Sequence, residues 1–305
     1  QTAIGTVTAT DADTLDTSAT ISFAVSGSEL AIDSDGVLTF ISSPDYETKT
    51  SYTTTITASD GASNSSTQDI TISVNNLNDN SPAFSSTTSF SADENQTAIG
   101  TVVSSDADGD DITYSISGSE IAINSSTGVI SFSSAPDYET KTSYTATVTS
   151  SDGTNSTTQD ITVGVNNLND NPPVFTSDAT FSAAENQTAI GTVTGSDADG
   201  NSLSFTVSGS ELEITSAGVL TFASAPNYET KSSYTATVTV NDGSYSVTQD
   251  ITVNVTDIND APVFTSSSTL NGDENQTTIG TITGSDEDGN SLSFTVSGSE
   301  LEITS

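Results

Sequence analysis

The chain repeats itself, and the period of that repeat limits what it can fold into. Gln1, Gln96, Gln187 and Gln276 occupy equivalent places, 95, 91 and 89 residues apart, and the same short motifs follow each of them in the same order. A unit of that size buries its own core and meets only its neighbours in the chain. The first unit is longer because Asp13–Ile21 (DTLDTSATI) replaces the DGDDI or DGNSL of later copies. Proline-bearing junctions fall at Asn75–Pro82, Asn166–Pro173 and Asp257–Pro262. The expected domains are 1–80, 81–171, 172–260 and a partial copy, 261–305. Residues 290–305 reproduce 201–216 and then stop in mid-repeat, and the chain contains no methionine, so a fragment of a longer protein is expected.

Inside each copy the apolar residues recur every second position. In Ser143–Ser151, Tyr144, Ala146 and Val148 alternate with polar residues; in Thr158–Asn166, Ile161, Val163 and Val165 do the same. Alternation of this kind marks half-buried strands. Glu120–Phe132 reads as a hairpin turning at Asn124–Gly128. No segment has helical periodicity. About seven short antiparallel strands fit each copy, which is the arithmetic of an immunoglobulin-like sandwich. The fold class is therefore all-β: tandem seven-stranded Greek-key sandwiches joined end to end as a rod.

Charge narrows the partners. Forty-one acids face three bases for a net −38, a field that disfavours nucleic acid and anionic membranes. No apolar run approaches the ~18 residues of a membrane span, and no signal-peptide pattern is present. There is no cysteine, so no disulfide or thiolate site is available, and bound metal is the remaining candidate staple. Histidine is absent too, which leaves oxygen donors and a hard cation. With neither His nor Cys, no Ser–base pair and no Gly-rich phosphate loop, the sequence does not read as an enzyme.

In one order the copies share a Glu-Asn pair (before Gln96, Gln187 and Gln276), an Asp-Ala-Asp (once Asp286-Glu287-Asp288) and, in the first three, a Pro-(Asp/Asn)-Tyr-Glu, an Asp-Gly and an Asn-Asp-x-Pro junction, the first with Ser81 before its proline. This ordered set resembles the cadherin repeat over the whole chain. The resemblance implies about three Ca²⁺ per junction, shared by the repeat before, the linker and the repeat after. Its ligands at the first junction would be Asp45 and Glu47; Asn76, Leu77, Asn78, Asp79 and Asn80; then Asp106, Asp108 and Asp152. The second would use Glu94, Asp137 and Glu139; Asn167, Leu168, Asn169, Asp170 and Asn171; then Asp197, Asp199 and Asp242. The third would use Glu185, Asn227 and Glu229; Asp257, Ile258, Asn259, Asp260 and Ala261; then Asp286 and Asp288. Leu77, Leu168, Ile258 and the last linker residue lend backbone carbonyls. With Asp11, Asp13, Asp60 and Glu274 at the outer partial sets, more than half of the 41 acids fall on ligand positions.

The pattern departs from the family at Asn76 and Asn167, where Asp is usual, and at Asn227, where the third copy replaces Asp. One amide for one carboxylate at each junction implies the same ligand number at lower charge, and weaker affinity. Ala261 replaces the usual Asn and is expected to be harmless, since only its carbonyl is needed.

Asp106–Asp110 fails as an EF-hand, because Gly is not at the sixth position and no Glu closes the loop. The glycine-rich nonapeptide of calcium β-rolls is absent. Lys49, Lys141 and Lys231 are conceivable isopeptide crosslinkers, with solvated loop lysines as the plain alternative. Tyr52, Tyr144 and Tyr234 are assigned to the core rather than to sugar stacking. Sequons occur at Asn64, Asn95, Asn124, Asn155, Asn186, Asn254 and Asn275. The expected function is a calcium-stiffened segment of a long extracellular adhesin, stalk or fibre of bacterial type. The alternative is a calcium-dependent homophilic adhesion or self-assembly module. Calcium is the expected cofactor, and copies of the chain or another cell surface are the expected macromolecular partners.

Overall fold

The computed structural model describes residues 2–12, 20–60 and 64–304. The chain divides into two compact units, Gln1–Asn166 and Asn167–Ser305.

In the first unit, the described residues of the opening copy form two three-stranded sheets. One pairs Val37–Phe40 with Ala3–Thr6 and Leu30–Ile32; the other pairs Ser51–Ser59 with Ser22–Val25 and Ser65–Ser73. Leu30, Leu38, Phe40 and Ile56 are buried between them. The second copy is complete. One sheet runs Thr113–Ile116, Ser143–Ser151, Ser156–Asn166, Ser89–Asp93; the other runs Ile121–Ile123, Val129–Phe132, Ala98–Thr101. Ala83–Phe84 pairs with Ser104–Ser105. Nine segments thus replace seven strands, because the first and second strands are each interrupted and change partners. The first strand's second half, Ser89–Asp93, lies parallel to the last strand, with Val163 opposite Phe90. This differs from a wholly antiparallel set for a topological reason. An odd number of strands sends the chain in at one end and out at the other, so first and last strands sharing a sheet must run the same way.

Alternation produces the core directly. Val148, Ile161 and Val163 point inward and are essentially solvent-free, while Thr145, Thr147, Thr158 and Thr162 take the outer face. The hairpin forms where expected: Ile121–Ile123 pairs with Val129–Phe132, and Asn124 Oδ1 accepts the N–H groups of Ser126 and Thr127, both at 3.1 Å. Gly128 ends the turn at φ +70, where an added Cβ would sit 2.2 Å from the Val102 carbonyl oxygen.

The second unit repeats this plan. Ser204–Val207, Ser233–Asn241, Ser246–Thr256 and Thr180–Ala184 form one sheet, and Leu212–Ile214, Val219–Phe222 and Ala189–Thr192 the other. Val193, Leu220, Val238, Val240, Ile251 and Val253 are fully buried between them. After Thr256, the described residues contain one further strand pair, Val263–Phe264 with Gly284–Ser285.

Gly218 closes this unit's hairpin at φ +87, with an added Cβ again 2.2 Å from a carbonyl oxygen, that of Val193. Gly218→Ala would impose both left-handed strain and a backbone clash. It is expected to destabilise the unit by about 2–4 kcal/mol, measured by denaturant unfolding.

The three lysines share one arrangement. Lys141 Nζ is 2.6 Å from Glu120 and 4.2 Å above the Tyr144 ring, which meets Phe132 edge-on at 4.9 Å. Lys49 with Glu29 and Tyr52, and Lys231 with Glu211 and Tyr234, do the same. The tyrosines are half-buried against the core, as expected. Each lysine answers a glutamate rather than an asparagine. The ion pairs are solvent-exposed, so each contributes ~0.2–1 kcal/mol.

Candidate metal centres

Short loops and linkers at the sheet ends carry the acids, held by Asx-type turns rather than by the sheets. In the first unit, Asp152 Oδ1 accepts the N–H groups of Thr154 and Asn155 at 2.7 and 2.6 Å, and Asp106 Oδ1 accepts that of Asp108 at 2.9 Å. One oxygen of each carboxylate is thereby used to build the loop. The other oxygens, Asp106 Oδ2 and Asp152 Oδ2, are buried without a hydrogen-bond partner. The same division recurs in the second unit. Asp197 Oδ1 accepts from Asn201 and Asp242 Oδ1 from Ser244 and Tyr245, while Asp197 Oδ2, Asp242 Oδ2, Asn169 Oδ1 and Asp288 Oδ1 are buried and unpartnered. Orphaned buried oxygens cost free energy unless something coordinates them.

The geometry brings many of the expected residues together. In the first unit, Glu47, Asp79 and Asp108 form one cluster, Asp106, Asp108 and Asp110 a second, and Glu94, Asp137 and Glu139 a third; in the second unit, Glu185, Glu229 and Asp257 cluster. Within each, one carboxylate oxygen from every residue lies within 4.8 Å of the others. Glu94 and Glu185 are almost wholly buried. Glu185 Oε2 accepts the Tyr228 N–H at 2.8 Å and Oε1 the Ile258 N–H at 2.8 Å; Glu94 Oε2 accepts the Tyr138 N–H at 2.7 Å. The residues that follow them, Asn95 and Asn186, adopt φ of 63 and 62. Asparagine tolerates this left-handed turn. Asn186 Nδ2 also reaches Asp260 Oδ1 at 3.2 Å, so this sequon residue belongs to the acidic cluster.

Crowding and hydrogen bonding split the carboxylates in two. Asn80's side-chain amide is the first reason Asp108 lies below its ordinary range, and the Thr48 hydroxyl does the same for Asp45. Asp152 and Asp242 lose solvation, but the hydrogen bonds donated to them, led by the backbone N–H groups of Asn155 and Tyr245, together outweigh that and hold them low. Desolvation followed by the neighbouring Asp288 pushes Asp257 up, and desolvation followed by Glu185 and Asp288 raises Asp260. Glu229 is held down by its own backbone N–H, yet desolvation and Glu185 carry it above its usual value. Desolvation and Asp106 raise Asp110.

Four residues in these clusters were missed from sequence. Asp110 joins the Asp106 cluster, and its signal was the second acid of Asp-Gly-Asp-Asp. Asn155 Nδ2 donates to Asn78 Oδ1 at 3.0 Å and to the Asn80 carbonyl at 3.1 Å. Asn290 Nδ2 donates to Asn259 Oδ1 at 2.7 Å. Glu287 Oε2 accepts from Asn227 Nδ2 at 2.7 Å, so the acid given up at 227 in the third copy is met by an extra one opposite it in the fourth. The expectation for Ala261 needs correcting. Asn80 and Asn171, at the same linker position, donate their side-chain amides to Asp108 and Asp199 at 2.9 and 2.8 Å. Alanine keeps the carbonyl and loses that donor. Asp13 lies outside the described residues.

The donor set is carboxylate, amide and carbonyl oxygen throughout, with acids crowded and half-used. Ca²⁺ accepts six to eight such oxygens at about 2.3–2.6 Å, and the residues fit it.

Residues 169–256 match the family described as Bacterial Ig domain. Over 288 residues the chain is 33% identical to Cadherin EGF LAG seven-pass G-type receptor 2 of Mus musculus, covering 83% of this chain and 10% of that protein. It is 37% identical over 174 residues to Protocadherin Fat 1 of Homo sapiens, covering 50% of this chain and 4% of that protein. Among solved structures, mouse Cadherin-23 EC22-24 superposes with a TM-score of 0.66 at 24% identity, covering 84% of this chain and 92% of that one. The human Desmocollin-1 ectodomain gives 0.60 at 21% identity, covering 85% and 59%. The chain is a tandem of cadherin-like repeats. It spans about a tenth of the first of these relatives' length, and no helix among its described residues is long and apolar enough to cross a membrane.

Proposed function

We propose that this chain is a calcium-stiffened segment of a long extracellular adhesin, stalk or fibre of bacterial type, and not an enzyme. One observation carries the reading. Among the described residues, six of the nine buried side-chain oxygens without a partner belong to Asp106, Asp152, Asn169, Asp197, Asp242 and Asp288, all expected calcium ligands. In the first unit, Asp45, Glu47, Asn76–Asn80, Asp106, Asp108 and Asp152 hold the metal, about three ions' worth of oxygen donors. In the second, Glu185, Asn227, Glu229, Asp257–Ala261, Asp286 and Asp288 do so. Glu94, Asp137 and Glu139, and separately Asn167–Asn171, Asp197, Asp199 and Asp242, take ligand roles of the same kind. The repeats follow the boundaries 1–80, 81–171, 172–260 and 261–305. Near-identical copies suit a spacer, which needs length and stiffness rather than an individual binding surface.

Sedimentation and small-angle scattering of the chain in calcium and in chelator test this. A monomer that lengthens and stiffens only with calcium supports the stalk. Association that requires calcium would instead favour self-assembly into filaments. Identical profiles under both conditions would overturn the calcium reading.

A further inference from the structure

The linker asparagines do something that no cation is needed for. In the first unit, Asn76 Nδ2 donates to the Asp108 carbonyl at 2.7 Å and Asn80 Nδ2 to Asp108 Oδ1 at 2.9 Å. The N–H groups of Asp79 and Asn80 donate to Asp108 Oδ2 at 3.1 and 2.8 Å. In the second unit, Asn167 Nδ2 donates to the Asp199 carbonyl at 2.9 Å and Asn171 Nδ2 to Asp199 Oδ1 at 2.8 Å. Asp170 and Asn171 N–H groups donate to Asp199 Oδ2 at 3.1 and 2.9 Å. In both places two side-chain amides and two backbone amides close on one aspartate. That fastens the linker to the repeat that follows it.

The third linker breaks this arrangement at both asparagines. Asp257 has no side-chain N–H to give, and its carboxyl faces that of Asp288 instead of bonding to the backbone there. Ala261 has no side-chain donor. Of the four contacts, the one from Asp260 N–H to Asp288 Oδ2, at 2.6 Å, remains among the described residues. The Asn227–Glu287 and Asn290–Asn259 bonds are different ties, each between exposed side chains, where water competes and little net stabilisation results.

We propose that the linker amides are a metal-independent clamp, and that Asp257 and Ala261 make the third linker the calcium-gated hinge of this segment. In calcium all three linkers are docked. When calcium falls, Asp79–Asn80 and Asp170–Asn171 stay fastened to Asp108 and Asp199, while Asp260–Ala261 come loose from Asp288, with Ile258 N–H still held by Glu185 of the preceding repeat. The exchange of Asn for Asp thus does more than lower charge: it sets which linker responds to the metal. This deepens the calcium reading above and rests on it.

Amide hydrogen exchange on the full chain separates the two. In chelator, the amides of residues 79–80 and 170–171 are expected to exchange at least about tenfold more slowly than those of 260–261. Asp257→Asn with Ala261→Asn is expected to bring the third linker to the level of the others in chelator, and Asn76→Asp with Asn80→Ala to release the first. In calcium, all three linkers are protected alike. Equal exchange at the three linkers in chelator, or no gain in the Asp257→Asn/Ala261→Asn variant, overturns the clamp. A linker 257–262 that calcium fails to protect overturns the calcium reading instead, whatever the chelator result.

Discussion

Chelating calcium is expected to lower the melting transition of this chain by ~10–20 °C for each ion that had been held at a free concentration about 100-fold above its dissociation constant. An ion bound only by the folded state stabilises by about 2.7 kcal/mol at that ratio. For a domain near 90 residues, each kcal/mol moves the midpoint by ~4–8 °C. The acids make the metal-free state worse than merely unliganded. Desolvation and mutual repulsion raise Glu229, Asp257 and Asp260, and a carboxylate raised by folding stays ionised at neutral pH at a cost to the folded state. That cost is present above the raised range and falls away as pH drops through it. The carboxylates held low, Asp108 and Asp152, behave oppositely: their contribution persists above the unfolded range and is lost as pH falls through their depressed values. Calorimetry in calcium and in chelator at neutral pH checks the expectation. A transition that chelator leaves in place would mean that the carboxylate clusters tolerate their own charge without a cation.

The strands were legible because alternation is dictated by a two-sheet core: Val148, Ile161 and Val163 had to point the same way, and they do. The hairpin was legible because Asn124 can accept the N–H groups of its own turn and Gly128 can take the positive φ that ends it. The pairing of Ser89–Asp93 with the last strand was not. Ser-Phe-Ser-Ala-Asp alternates equally well in either direction, and only the odd strand count decides it. Residues 293–296 make the point sharply. Ser-Phe-Thr-Val is a strand at Ser204–Val207, paired to Ser233–Asn241, and is not a strand at 293–296. The same four residues take their conformation from the partner beside them.

At the candidate centres, acid positions were readable from motif order, but the work of the amides was not. Asn76, Asn80, Asn167 and Asn171 read as weaker or carbonyl-only ligands, because a ligand grammar counts acceptors and ignores donors. Their N–H groups point at Asp108 and Asp199, which only three-dimensional placement shows. Glu287 was passed over for a related reason. Its value lies opposite Asn227, sixty residues earlier in the chain, and no local window connects the two.

Glu185→Ala is expected to destabilise the second unit by about 2–5 kcal/mol even in chelator. The carboxylate is 1% exposed and is the acceptor for two backbone donors, Tyr228 N–H in the Pro226–Lys231 loop and Ile258 N–H in the linker. Alanine leaves both donors without that acceptor and opens a gap between loop and linker. Each stranded donor costs ~1–3 kcal/mol, so the loss does not wait for the metal. In calcium the same variant loses more, because Glu185 also stands in the cluster with Glu229 and Asp257 and a ligand oxygen disappears with it. Glu185→Gln divides the two effects. Its carbonyl oxygen still accepts one of the N–H groups, while its amide nitrogen opposes the other and offers a cation nothing. Glutamine should therefore retain part of the stability in chelator and little of the additional gain from calcium. Denaturant unfolding of the three proteins under both conditions, followed by tyrosine fluorescence, gives the comparison. If Glu185→Ala matches the native chain in chelator, the carboxylate is a metal ligand alone, and the two hydrogen bonds that tie loop to linker are worth nothing to the fold.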